Sequence, residues 1–296
     1  MPATQKGEHV QMSVTDLEEA VEFYTTAMGM IELDRTNNVV YLGCGRDDNY
    51  DLAVQEGPSG IEHFAIRVED EDKIVEYDEC LTNAGVETQR TDRTEPSQEQ
   101  GLRFKLPNGV PMELVTVEPE KYQQSVAVQH PERDSAAPLD FDHVTLHTPD
   151  PRKDAEFMRD VLDFKITEVL GTESNWVGAF VRKGDMHHDV SLFENETSGM
   201  HHIGWEFAHI DHMKNFIDRI AQAGVDLELG VNRHVAGDNI FSYFFEPGGN
   251  RFELSAEMAK TDSETTAFTK DIEEALYAWS DDSPPETYSE GTGIVK

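Results

Sequence analysis

The stretch His143-Val144-Thr145-Leu146-His147-Thr148, followed by Pro151-Arg152-Lys153-Asp154-Ala155-Glu156-Phe157-Met158 and Leu162-Asp163-Phe164, decides the fold because the chain contains an earlier version of it. That version is His9-Val10-Gln11-Met12-Ser13-Val14, then Asp16-Leu17-Glu18-Glu19-Ala20-Val21-Glu22-Phe23-Tyr24, then Met28-Gly29-Met30. Each predicts a short alternating strand, an amphipathic helix with an acidic first turn, and a run of strands. Further landmarks recur at an offset of 139 or 140 residues. Ile61-Glu62-His63-Phe64-Ala65-Ile66 matches Met200-His201-His202-Ile203-Gly204-Trp205, and each precedes a helical stretch, about 71–84 and 211–223, ending in Ala-Gly-Val. Leu106-Pro107-Asn108-Gly109-Val110-Pro111-Met112-Glu113-Leu114 matches Glu246-Pro247-Gly248-Gly249-Asn250-Arg251-Phe252-Glu253-Leu254, a tight turn with a glutamate on the strand that leaves it.

Each copy therefore holds two strand–helix–strand–strand–strand units, and the expected fold class is α+β with two tandem domains. The boundaries follow composition: residues 1–117, a polar linker at 118–139 with Pro119, Pro131 and Pro138, a second domain at 140–258, and an acidic tail at 259–296. The tail predicts one helix, roughly 269–280, with Ile272, Leu276 and Trp279 on one stripe.

Among 296 residues, 24 Lys+Arg stand against 59 Asp+Glu, a formal net charge of −35. A chain so acidic repels phosphate backbones and anionic headgroups, which argues against nucleic acid and membrane partners. With 38 % hydrophobic residues it can still bury a core, so its acidity belongs to a surface. The surplus resembles that of salt-in halophilic archaeal proteins, whose self-repulsion molar salt screens. No apolar run suits a signal peptide or a membrane span, so a soluble cytoplasmic protein is expected. Cys44 and Cys80 match no disulfide or metal spacing and are expected to be buried thiols.

In the second copy the repeated landmarks carry His143, His202 and Glu253. Two imidazoles and one carboxylate leave three positions open, the facial arrangement of non-heme Fe(II) that binds substrate and O₂ together. Separations of 59 and 51 residues are no local metal signature, so the three alone are a weak signal. The surrounding segment adds specificity: Arg233-His234, Tyr243-Phe244-Phe245-Glu246-Pro247-Gly248-Gly249-Asn250-Arg251-Phe252-Glu253, with His187-His188-Asp189-Val190 upstream of His201-His202.

These residues resemble the two-domain extradiol ring-cleaving dioxygenases of the catechol 2,3-dioxygenase type, and the repeated units resemble the βαβββ modules of the vicinal oxygen chelate superfamily, whose pairs curl into half-open barrels around a metal. The resemblance spans about residues 7–257. It implies Fe(II), with Mn(II) as the alternative since both use the same donors, held by His143, His202 and Glu253. It implies catalytic roles for His188, His234 and Tyr243. Tyr243 and His234 would hydrogen-bond the metal-bound diol oxygens and manage a proton, while His188 would serve as acid and base toward activated O₂. The substrates implied are a catechol-type diol and O₂, the product is of the 2-hydroxymuconic semialdehyde type, and the assembly is a homo-oligomer, tetramer or dimer.

Plainer readings stand beside these. His201 and His202 are strand neighbours expected to face opposite sides, so one at most is a ligand. Tyr243 is also readable as a cross-strand aromatic, and Arg251 as either orienting Glu253 or balancing a nearby acid. His147, His187, His209 and His212 fit the ligand pattern less well and are expected at the surface or behind the ligands. In the first copy His9, His63 and Glu113 occupy all three ligand landmarks, yet Arg103 stands where Tyr243 should be, Thr94 where His234 should be, and Asn49 or Tyr50 where His188 should be. That half is expected to be structural, with a second metal held by His9, His63 and Glu113 as the alternative. The rival functions are a metal-dependent glyoxalase-like isomerase or lyase, and a metal-free binding protein of the bleomycin-resistance kind. The tail is expected either to cover the site mouth with Tyr277 and Trp279 or to pack between subunits.

Overall fold

A computed structural model describes residues 5–118, 130, 132–270, 275–280 and 283–295. The first module runs β1 (Gly7–Val14), α1 (Leu17–Phe23), β2 (Ile31–Arg35), β3 (Val39–Gly43) and β4 (Leu52–Glu56). The second is β5 (Gly60–Arg67), α2 (Glu71–Asn83), β6 (Gln89–Asp92), β7 (Gln98–Lys105) and β8 (Pro111–Val117). The third is β9 (Phe141–Thr148), α3 (Pro151–Leu162), β10 (Lys165–Thr172), β11 (Asn175–Arg182) and β12 (Val190–Glu194). The fourth is β13 (Gly199–Phe207), α4 (Ile210–Gln222), β14 (Leu227–Arg233), β15 (Ile240–Phe245) and β16 (Arg251–Ala256).

The helices start where short polar side chains satisfy the first free amides. Asp16 accepts from Glu19 N at 3.0 Å, Asp70 from Lys73 N at 3.0 Å, and Asp150 from Lys153 N at 2.9 Å. On α2, Ile74, Tyr77 and Leu81 face inward and leave Cys80 exposed, so only Cys44 is a buried thiol. The expectation for Cys80 fails because neighbouring helical positions lie on different faces.

Strand order is the same in both halves: β2-β3-β4-β1-β5-β8-β7-β6 in the first, and β10-β11-β12-β9-β13-β16-β15-β14 in the second. In each, the first strand of one module pairs antiparallel with the first strand of the next, β1 with β5 and β9 with β13. That seam brings the first histidine of each copy next to the second. The glutamate strands β8 and β16 lie parallel to β5 and β13 on the far side. One apolar core runs through both halves, from Val10 and Tyr24 to Trp205 and Phe252. Reciprocal polar bonds tie the halves together: Asn108 N donates to Asp154 at 3.0 Å, and Tyr24 donates to Glu246 at 2.8 Å. At Gly7 the backbones come so close that a Cβ would stand 2.7 Å from the Phe141 ring.

The tail differs from expectation. Residues 267–269 form a strand, β17 (Ala267–Thr269), parallel to β10, where the predicted helix should begin, because β10 is an edge with free backbone groups. Ile272 lies outside the described residues. The chain then crosses the second half to a 3₁₀ turn at Glu286–Ser289 and ends as β18 (Gly293–Ile294) on β5 of the first half. Among the described residues no helix is long and apolar enough to cross a membrane.

Candidate metal centre

The β9–β13 seam and the parallel β13–β16 pair carry His143, His202 and Glu253 to one point. Nε2 of His143 lies 3.2 Å from Nε2 of His202 and 3.1 Å from Oε2 of Glu253, and His202 Nε2 lies 2.8 Å from the same oxygen. All three residues are buried. Gly204 faces His143 across the seam, and a Cβ there would collide with the imidazole.

The outward nitrogens and oxygen are already committed. His143 Nδ1 lies 3.1 Å from Asp142 and donates to it. His201 Nε2 donates to the Tyr288 carbonyl at 2.6 Å, so its Nδ1 accepts from His202 Nδ1 at 2.6 Å. Asn239 donates to Glu253 Oε1 at 2.9 Å. These partners fix both tautomers with the Nε2 lone pairs directed inward, which is how a metal-binding imidazole is held. Burial weakens the proton affinity of both rings. At His143, Glu253 and Asp142 outweigh it and lift the pKa to about 10, whereas at His202 burial wins and the pKa falls to about 4. Glu253, itself opposed by burial, is held well below the usual carboxylate range by the two imidazoles. The proton that Glu253 and Asp142 favour on His143 is the one a metal would displace, and two imidazole nitrogens with an anionic oxygen in a buried site then suit a divalent ion, a donor set that fits iron(II) or manganese(II).

His188, His234 and Tyr243 all line the cavity, of about 380 Å³ with its mouth, that opens from these ligands. The His188 ring stands 4.5 Å from that of His143. His187 Nε2 donates to Glu168 at 3.1 Å, so its Nδ1 accepts from His188 Nδ1 at 3.0 Å, leaving His188 Nε2 with a lone pair. Burial and the neighbouring His143 keep His188 well below the usual imidazole pKa. His234 Nδ1 donates to the Leu276 carbonyl at 2.8 Å, and its Nε2 accepts from the Tyr243 hydroxyl at 3.1 Å. Tyr243 sits directly opposite Glu253 in the β15–β16 register.

Several expectations need correction. His201 and His202 do not face opposite sides: a bulge between Met200 and His202 in the β13–β9 register turns both rings inward, 4.8 Å apart. His201 is excluded as a ligand by its bond to Tyr288, not by strand alternation. His187 takes the second of its two expected places, buried behind His188 rather than at the surface. His147 is also buried, packed on His201, while His209 and His212 cap and pack α4 away from the centre. Of the two readings of Arg251, orienting Glu253 fails and balancing a nearby acid holds. Its guanidinium pairs with Glu228 at 2.6 and 3.0 Å and donates to the carbonyls of Thr287 and Glu290, which moors the tail. Tyr288, Ala275 and Leu276 of the tail line the cavity, whereas Tyr277 and Trp279, expected as its cover, do not. Tyr277 packs on Phe241, and Trp279, half exposed, lies over Arg233. Sequence reasoning missed Asp142, Glu168, Asn239 and Tyr288. Asp142 alone had a signal, its adjacency to a candidate ligand.

A model of the Glyoxalase/Bleomycin resistance protein/Dioxygenase superfamily matches residues 8–114 and 140–254. A manganese-dependent 2,3-dihydroxybiphenyl 1,2-dioxygenase of Geobacillus genomosp. 3 is 25% identical over 265 residues, covering 83% of each chain. The crystal structure of homoprotocatechuate 2,3-dioxygenase from Arthrobacter globiformis superposes with a TM-score of 0.88 at 20% identity, covering 100% of this chain and 94% of the other. A Mn(II)-bound glyoxalase from Novosphingobium aromaticivorans superposes almost as well, with a TM-score of 0.87 at 21% identity over 99% and 96%. The fold is thus common to two chemistries, and the site must choose between them.

Proposed function

The chain belongs to the Glyoxalase/Bleomycin resistance protein/Dioxygenase superfamily, and within it we propose an extradiol dioxygenase that opens a catechol-type ring beside the diol, with both atoms of O₂ entering a 2-hydroxymuconic semialdehyde-type product. The observation that carries this reading is the three-donor centre facing a cavity that also holds His188, His234 and Tyr243. Iron(II), or manganese(II), would be held by His143, His202 and Glu253, and would supply open coordination positions and electron transfer for diol and O₂. A fourth protein donor would block one of those positions. The residue beside Glu253 is the neutral Asn239, which binds its outer oxygen instead.

The side chains divide the proton work. Burial and the nearby Glu253 hold the Tyr243 hydroxyl protonated, and it donates to His234 Nε2. A diol proton passes to the Tyr243 oxygen as that hydroxyl's own proton moves to His234 Nε2, which leaves the imidazole charged and Tyr243 donating to the deprotonated diol oxygen while accepting from His234 Nε2–H. His188 enters the reaction neutral, with its Nε2 free to take a proton and return it to the departing oxygen. As His188 becomes charged, its Nδ1–H strengthens toward His187, and the Glu168 carboxylate behind His187 offsets the charge. Glu168 stays ionised: burial opposes this, but its bonds from His187 and Thr269 lower its pKa.

The cavity wall also selects. Leu170, Phe180 and Phe193 supply apolar surface, and among the described lining residues there is no lysine or arginine. A ring carboxylate would lose its hydration there with no cation to replace it, so uncharged catechols are the preferred substrates. Protein loaded anaerobically with Fe(II), then mixed with catechol and O₂, should give yellow product with one O₂ consumed per diol, and 3-methylcatechol should outperform protocatechuate. Absence of O₂ uptake with every diol, with either iron or manganese, would refute the assignment.

A further inference from the structure

The first half carries its own convergence of donors, with a different geometry. His9 Nε2 lies 3.2 Å from His63 Nε2, 3.8 Å from Glu113 Oε2 and 3.7 Å from Glu95 Oε2, and His63 Nε2 lies 3.5 Å from Glu113 Oε2. Three of these are the ligand landmarks of the repeat. The fourth, Glu95, comes from the loop between β6 and β7. All four side chains are nearly inaccessible to solvent.

We infer that these four residues bind a second divalent metal ion, tetrahedrally and with no position left for substrate, so that the N-terminal half is held by a closed, zinc-type structural site. Two donors bound at about 2.1 Å stand about 3.4 Å apart on a tetrahedron and about 3.0 Å apart on adjacent octahedral corners. In the first half the imidazoles stand 3.5 to 3.8 Å from the carboxylate oxygens, nearer the tetrahedral spacing. In the second half they stand 2.8 and 3.1 Å from Glu253, nearer the octahedral one, while the histidine pair is 3.2 Å apart in both.

The neighbours of the four donors fit this reading. Arg103, directly opposite Glu113 in the β7–β8 register, donates to Oε1 of Glu113 at 3.2 Å and to Oε1 of Glu95. Gln98 also donates to Glu113 Oε1, at 2.9 Å, and Thr91 reaches it at 3.3 Å. The outer oxygens are thereby occupied, and both Oε2 atoms turn toward the imidazoles. Arg103 also offsets the charge of the added carboxylate, so a divalent ion leaves either centre with the same net charge. Tyr50 donates to Glu95 Oε2 at 2.6 Å and lies 2.9 Å from His9 Nε2. Metal binding keeps the first of these contacts and replaces the second.

Zinc(II) alone tests this in the full-length protein. After chelation, equilibration with Zn(II) and desalting, elemental analysis should find two ions per chain in the wild type. It should find one in His202→Ala, which loses the second-half centre, and one in His63→Ala, which loses the first. Cobalt(II) bound to His202→Ala should show the intense visible absorption of a tetrahedral site, absent from Glu95→Gln on the same background. Thermal unfolding of His202→Ala should shift upward with Zn(II), and that of the His63→Ala/His202→Ala double variant should not. No ion in His202→Ala, or an ion there that survives in the His63→Ala/His202→Ala double variant, overturns the inference. If His63→Ala fails to fold, loss of the cobalt bands in Glu95→Gln decides the matter. None of these readouts depends on ring cleavage, so failure here and failure of the dioxygenase reading are separate results.

Discussion

The two halves share a strand order, a seam and three donor positions, yet they surround those donors differently. Tyr243 in the second half is Arg103 in the first, each opposite its glutamate. His188 stands 4.5 Å from His143, ring to ring, where Tyr50 stands 4.4 Å from His9. Asp142 orients His143, whereas Glu8, which precedes His9 in the same way, pairs with Arg67. In the second half the open side of the donors faces a cavity, while in the first Glu95, Tyr50 and Arg103 crowd around them. Duplication has kept the frame that makes donors converge. Whether the centre can do chemistry depends on the residues facing the donors, which strand geometry leaves free to change.

Perturbing each half in turn should break this contrast by graded amounts. Removing a ligand has the largest effect: His202→Ala should abolish diol-dependent O₂ uptake, read with an oxygen electrode. His188→Phe keeps the donors and removes the acid–base group, so kcat should fall about 10²- to 10⁴-fold with iron content unchanged. Asn239→Ala frees the outer oxygen of Glu253 and should weaken metal affinity about 10- to 100-fold by competition with a chelating dye. A chain ending at Pro284 loses Tyr288 and the segment moored by Arg251. It should lose about tenfold in kcat/KM, or about 1.4 kcal/mol, as water reaches the site. The smallest effect sharpens the comparison at one matched position. Ala65 pairs with His9 as Gly204 pairs with His143, so Ala65→Gly should cost only about 0.5–1 kcal/mol in denaturant unfolding and leave turnover unchanged.

Much of the site was legible because its residues sit at repeated landmarks. A histidine on the first strand of each module and a glutamate after a turn can be counted along the chain, and the spacing from His234 through Tyr243 to Glu253 pointed to the second half as the proposed catalytic one. Glu168, Asn239 and Tyr288 could not be found this way. They reach the centre from 10 to 20 residues away or more along the chain, from strands and loops whose facing depends on register. Glu95 escaped for the same reason: counting back from Glu113 stops at Thr94, and only the β6–β7 loop places its neighbour in the cluster.

The sequence alone determined the duplicated α+β plan and placed three candidate donors at matching landmarks of each half, because alternation and turn residues act over a few residues and repeat. Tertiary structure decided which way the rings point and what lies behind them. The bulge at His201 turned a predicted outward residue inward, and the bonds to Asp142, His201 and Asn239 fixed tautomers and carboxylate orientation. A tail from the end of the chain, held by Arg251, contributed Tyr288 to the cavity wall. Such contacts join segments far apart in the chain, and their energies arise from burial and hydrogen-bond geometry that no local pattern of residues encodes.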